Sequence, residues 1–156
     1  MDPLENFSLA GFVAHRGLNI VPDPPRPGRY RNSYGDGPFA RLVMPRLPAE
    51  PGIYIWLVNG NIAYVGQTRT TLAKRLGSLG YSTVSNYNTY AREPGKRNGG
   101  QETNCRINAL ANVALANGGE IEIWYRVTNL DESARAESEW MDLHGVPPWN
   151  RRDERT

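Results

Sequence analysis

The stretch Gly52-Ile53-Tyr54-Ile55-Trp56-Leu57-Val58-Asn59-Gly60-Asn61-Ile62-Ala63-Tyr64-Val65-Gly66 decides how this chain folds. Ile53 to Val58 is an unbroken run of β-branched, aromatic and leucine residues, which suits a buried strand, and Ile62 to Val65 forms a second run. Between them, Asn59-Gly60 is a strong hairpin signal, because both residues tolerate the positive φ of tight turns. Two antiparallel strands are expected.

The hairpin carries two tyrosines, and its register decides whether they can act together. Facing residues in a hairpin have numbers of constant sum, and a slip of one residue sends a side chain to the other face. A two-residue Asn59-Gly60 loop gives pairs that sum to 119 and sets Tyr54 and Tyr64 on opposite faces. A three-residue loop of Val58, Asn59 and Gly60, a type I turn with Gly60 left-handed in a G1 bulge, gives 118 and puts Tyr54 directly across from Tyr64. That register, or another of even sum, is expected if the rings share a site. A strand tyrosine taken alone more often only covers a sheet.

Upstream, Pro22, Pro24, Pro25 and Pro27 cluster, with Gly35, Gly37 and Pro38 soon after, so residues 1–47 read as an irregular N-terminal arm. Residues 48–156 read as the structured domain, since 156 residues suit one core. Downstream, Leu72, Leu76 and Leu79 recur at helical spacing and predict a helix over 70–79. Residues 81–100, rich in Ser, Asn, Tyr and Gly, break every period, and a loop this long in a compact domain is more often functional than idle. A second helix is expected from about Thr103 to Leu115, ended by Gly118-Gly119. Ile121, Ile123, Tyr125 and Val127 alternate as a third strand, and Asp131 opens a third helix to about Leu143, stopped by Gly145, Pro147 and Pro148.

Charge is balanced overall, 18 Lys plus Arg against 16 Asp plus Glu, so no global basic field announces nucleic acid. It is uneven locally. From Gly66 to Arg106 the basic residues are Arg69, Lys74, Arg75, Arg92, Lys96, Arg97 and Arg106 against Glu93 and Glu102, seven to two. Tyr81, Tyr87 and Tyr90 are interleaved with them, supplying cations for phosphates and rings for stacking, although a solvated polar loop has the same composition. The single Cys105 excludes an internal disulfide and a cysteine-built zinc site, and His15 and His144 have no metal-ligand spacing. No stretch approaches the roughly 18 apolar residues of a membrane span, so a soluble, cytoplasmic protein is expected.

Gly52-Ile53-Tyr54, then Tyr64-Val65-Gly66, then Arg75, an acid on a late helix and Asn150 after prolines resemble the GIY-YIG nucleases, in that order and at near-family spacings, over residues 48–151. The resemblance implies an α+β fold, a small three-stranded antiparallel sheet flanked by helices, and hydrolysis of DNA phosphodiesters with one divalent metal. It implies that one of Tyr54 and Tyr64 takes the proton from the attacking water, and restriction-type members favour Tyr54. A free phenol, with a pKa of about 10, would need cations nearby for that role. Val65 in place of isoleucine departs little from the pattern, whereas Gln67 stands where many members carry lysine, and Arg69 is the candidate to replace that cation.

The residues add their own case. Arg75 borders the Leu72 and Leu76 stripe, where a snorkelling surface arginine is common, while Lys74 points further toward solvent. The spacing of 11 from Tyr64 matches the arginine of the nucleases this chain resembles, which implies transition-state charge for Arg75 and a phosphate contact for Lys74. Glu137 has Ala134, Trp140 and Met141 on its helical face, and a carboxylate there calls for a cation; Glu139, beside Arg135, reads as solvated. That cation is either a metal or an arginine. Because Glu137 also precedes Asn150 by 13, close to the interval in the nucleases this chain resembles, the resemblance implies Glu137 as the metal ligand, for Mg2+ or Mn2+ keeping several waters. Asn150 either orients the acid or a phosphate oxygen, or caps a loop. The helix opening near Thr103 offers free N–H groups to phosphate, with Asn104, Arg106 and Asn108 as candidates for base edges in an insertion spanning about 81–108.

The function expected is sequence-specific cleavage of double-stranded DNA of restriction type, with a homodimer on a palindromic site. The competing readings are a repair or mobile-element nuclease and a non-catalytic nucleic-acid-binding module.

Overall fold

The computed structural model describes residues 2–14, 41–77 and 101–151, excluding the side chains of residues 13, 14, 41, 43, 101, 102, 104 and 105. The elements are β1 (Ser8–Ala14), β2 (Arg41–Val43), β3 (Gly52–Val58), β4 (Asn61–Thr68), α1 (Leu72–Leu76), α2 (Gln101–Ala116), β5 (Ile121–Val127) and α3 (Leu130–His144). The five strands form one antiparallel sheet in the order β2-β1-β5-β3-β4. The α+β class and the β3, β4, β5 triplet are as expected from the sequence.

Residues 2–14 and 41–47 of the N-terminal arm differ from the expected irregularity, while the proline cluster within 15–40 lies outside the described residues. The first segment of the arm pairs with β5, Ser8 facing Tyr125 and Phe12 facing Glu122, and β2 then pairs with β1. The physical reason is that β5 would otherwise be a long open edge beside β3, and an unpaired row of N–H and C=O groups is a liability. The arm also feeds the core, through Ala10, Leu42, Met44 and Leu47 on one face and Leu4 and Phe7 on the other. Its strands carry no alternation, so the nearby prolines dominated the reading of the segment.

The sheet has an apolar layer on each side. Tyr54, Trp56, Tyr64, Ile121 and Ile123 join Leu72, Ala73 and Leu76 of α1 and Ile107, Ala111 and Leu115 of α2. Ile53, Ile55, Leu57 and Val65 join Ala136, Trp140 and Met141 of α3. Both faces of β3 are buried, which explains its unbroken apolar run.

The approach of α1 to the sheet is set by Gly52. A Cβ there would lie 2.5 Å from the Arg126 carbonyl oxygen and 2.7 Å from Leu72 Cδ1. The Leu72 and Ala73 N–H groups donate to the carbonyls of Glu50 and Pro48 at 2.9 and 3.2 Å, and the Thr71 side chain accepts from Lys74 N–H, so the short helix is seated on the lead-in to β3. Gly52→Ala is expected to cost about 1–3 kcal/mol through overpacking. Urea unfolding would report a lower midpoint at unchanged slope, and an unchanged midpoint would contradict this seating.

Candidate active site at the edge of the sheet

The turn between β3 and β4 has two residues, Asn59 at φ 52° and Gly60 at φ 81°, the signs of a type I′ hairpin. Val58 faces Asn61 and Leu57 faces Ile62, pairs that sum to 119. The next pair is Trp56 with Tyr64, followed by Ile55 with Val65 and Tyr54 with Gly66, all summing to 120. Ala63 is the extra residue, a bulge inside β4. The three-residue turn expected from the sequence is therefore corrected: the even sum is reached, but by a bulge two pairs beyond the turn, so Tyr64 faces Trp56 and stands diagonal to Tyr54. Both tyrosines lie on the α1 and α2 face, with ring centroids 6.5 Å apart and planes at 46°.

Gly66 makes this arrangement possible. A Cβ on it would lie 2.6 Å from Cε2, Cζ and the hydroxyl oxygen of Tyr54, so the phenol crosses onto β4 and its hydroxyl sits over the bare α-carbon. Tyr54 is 1% and Tyr64 7% exposed. Trp56 packs edge-on against Tyr64, centroids 6.4 Å apart at 90°, completing an aromatic layer.

On α1, Leu72, Ala73 and Leu76 are buried, Arg75 is half-buried and Lys74 exposed, in line with the difference expected between the two cations. The helix stops at Gly77, left-handed at φ 77°, whose N–H donates to the Ala73 carbonyl. Arg69, between β4 and α1, is exposed.

From the other face, α3 is fastened to the same strand. The Ser133 hydroxyl donates to the Thr68 carbonyl at 2.7 Å, and Gln67 Oε1 accepts from the Glu137 N–H at 3.2 Å. The turn of α3 that carries Glu137 is thus held against β4 beside Gly66. Glu137 is half-buried, whereas Glu139 is exposed and pairs with Arg135 at 2.9 Å. Gln67, noted in the sequence only as a missing lysine, serves here as a link between strand and helix.

Asn150 lies across the outer edge of β4. Its Oδ1 accepts from Val65 N–H and its Nδ2 donates to Val65 C=O, each at 2.9 Å. The Trp149 N–H donates to the Ala63 carbonyl at 2.8 Å, so the bulge residue is bonded by the tail. Tyr64, Arg75, Glu137 and Asn150 are therefore all referred to β4 or to the helix that follows it.

The candidates for DNA bases divide differently. Arg106 is 5% and Asn108 0% exposed, so neither reaches outward in this structure. Arg106 Nη1 donates to the Trp149 carbonyl at 2.7 Å, and Asn108 Oδ1 accepts from Asn112 Nδ2 at 3.0 Å. The helix face bearing Ile107 and Ala111 turns them inward as well, away from the outward placement expected of base contacts. The signal was in the sequence, since residues one position from an apolar stripe are carried partly inside. The side chain of Asn104, Arg97 and the segment 78–100 lie outside the described residues.

Among the described residues no group of three or more His, Cys, Asp or Glu is placed to hold a metal ion. The half-buried Glu137 carboxylate is a single oxygen donor, the ligand type that hard divalent cations take. No helix among these residues is long and apolar enough to cross a membrane.

No protein-family model matches the sequence, and no curated protein matches it. Among solved structures, the chain is similar to a mutant of bacteriophage T4 EndoII, with 21% identity, 72% of this chain and 82% of that chain covered, and a TM-score of 0.48.

Gly66→Ala is expected to displace the Tyr54 ring and destabilise the protein by about 1–3 kcal/mol. Because one of the contacted atoms is the hydroxyl oxygen, the same change should cost less in a Tyr54→Phe background. Equal costs in both backgrounds, measured by chemical unfolding, would show that the hydroxyl does not occupy this place.

Proposed function

We propose that this chain is a metal-dependent DNA endonuclease of the GIY-YIG type that hydrolyses phosphodiester bonds at the β4 edge. The observation that carries the reading is the bulged hairpin, which brings Tyr54 and Tyr64 to one face on the strand that also fastens the Glu137 turn and Asn150.

Tyr54, Tyr64, Arg75, Glu137 and Asn150 are the proposed catalytic set, with Glu137 as the protein ligand for Mg2+ or Mn2+. A bound divalent ion would neutralise phosphate charge and polarise the scissile group. One tyrosine takes the proton of the attacking water, and Tyr54, whose hydroxyl lies over Gly66 at the edge strand, is favoured. The Arg75 guanidinium meets the charge that develops on the phosphate, a task to which its planar fork is suited. Asn150 holds the strand that presents Tyr64. Exposed Arg69 and Lys74 make phosphate contacts, and Arg97 and Asn104 extend them in the basic segment.

Restriction-type specificity is supported by the local excess of cations with interleaved tyrosines between Gly66 and Arg106, and a palindromic target would be read by a homodimer in the cytoplasm. A second reading, a non-catalytic DNA-binding scaffold, draws on the near-complete burial of both tyrosine rings.

Supercoiled plasmid incubated with purified protein and Mg2+ or Mn2+ should be cut, and EDTA should abolish cutting. Glu137→Ala should lower the rate at least about 100-fold, and loss of the base by Tyr54→Phe by about 10²–10⁴-fold. Fragment ends sharing one short sequence would support the restriction reading, and random ends would remove it. If the wild type cuts nothing across a range of metals and salt while still binding DNA, the scaffold reading takes its place.

A further inference from the structure

We propose that Arg106 is a positioning residue: from inside the protein it clamps the turn 147–150 onto the bulge of β4 and so holds Tyr64 and Asn150 in their working arrangement. This rests on the nuclease reading above for its catalytic consequence, but the clamp itself is a matter of geometry.

The turn is closed from within and bonded to the hairpin. The Asn150 N–H donates to the Pro147 carbonyl at 3.0 Å and closes it. The Trp149 N–H donates to the carbonyl of Ala63, the residue that the β3 and β4 pairing skips. The Asn150 carboxamide takes both backbone groups of Val65. The Trp149 ring packs on Trp56, centroids 6.3 Å apart, and Trp56 in turn meets the edge of Tyr64.

The Trp149 carbonyl accepts from Arg106 Nη1 of α2 at 2.7 Å. Removing a guanidinium from water is costly, and a methionine of similar length would fill the space with no charge to bury. A methionine could not make the charge-assisted bond to the Trp149 carbonyl, and that bond joins the helix to the turn. Arg106 is 5% exposed, so DNA has no access to it in this arrangement. The role is therefore indirect: Arg106 to Trp149, Trp149 to Ala63, and the Ala63 bulge to the face on which Tyr64 stands.

The test compares the full-length protein with Arg106→Met, which removes every donor, and Arg106→Gln, which keeps an N–H. Amide hydrogen exchange would be followed residue by residue, with cleavage at saturating enzyme and duplex affinity in EDTA measured alongside. In Arg106→Met the Val65 and Trp149 amides should exchange about tenfold faster while central β3 and β5 amides keep their protection. Cleavage at saturation should fall about tenfold or more with affinity within about twofold, and Arg106→Gln should recover part of both losses.

Faster exchange spread evenly over the sheet would make Arg106 a general stability residue and overturn the proposal. So would weakened duplex binding with normal cleavage at saturation, which is the signature of a direct DNA contact. Should Arg106→Met not fold, Arg106→Leu, which likewise has no side-chain donor, takes its place, and unchanged exchange at Val65 and Trp149 in that folded protein with a normal cleavage rate leaves no clamp. If the wild type cleaves nothing, the nuclease reading fails separately, and the exchange pattern still decides whether Arg106 holds the turn.

Discussion

Ala63 has no facing residue on β3, and this one surplus position organises the hairpin. Pairs beside the turn sum to 119 and pairs beyond the bulge to 120, so the type I′ turn keeps its preferred two residues while Tyr64 still reaches the face of Tyr54. A ladder interruption forgoes about 1 kcal/mol for a hydrogen bond. An unbulged pairing would put one of three buried aromatic rings on the wrong face, and each ring buries about 150–250 Å², roughly 4–6 kcal/mol of apolar burial as an upper figure. The bulge is the smaller cost, and its open carbonyl is bonded by Trp149.

Two glycines then convert the hairpin into a frame for other elements. Gly52 admits Leu72 and sets how closely α1, with Arg75, approaches the sheet; Gly66 admits the Tyr54 phenol. In both cases the missing side chain is a distance requirement, since these backbones need no positive φ. From the opposite face Ser133 and Gln67 tie α3 to the last residues of β4. Groups on different layers are thus anchored to one edge strand.

Much of this was legible in the sequence where one physical signal dominated. The apolar runs and Asn59-Gly60 located the hairpin, helical spacing located α1, α2 and α3 to within a few residues, and the apolar neighbours of Glu137 separated it from solvated Glu139. What escaped was non-local or made by backbone. The pairing of β1 with β5 joins residues more than a hundred positions apart and has no local period. The bulge is chosen by burial of rings on the folded sheet; Asn59-Gly60 alone pointed to the two-residue turn, and a longer loop was expected only as a way to bring both tyrosines to one face. Arg106 and Asn108 were read by residue type as base contacts, whereas their helical position beside Ile107 carries them inside. Gln67 was read by what it lacks, a positive charge, and its carboxamide proved complementary to a helix backbone.

The tail across β4 also changes what the sheet can do with other chains. A strand at the end of a sheet ordinarily offers its outer N–H and C=O groups to any extended peptide, the route to strand addition and aggregation. Here the Ala63 carbonyl and both backbone groups of Val65 are already bonded, two of them by a side chain that imitates a peptide group. Over these residues the edge is closed to β-augmentation without a sixth strand, and a molecule that approaches it meets side chains instead of an open ladder.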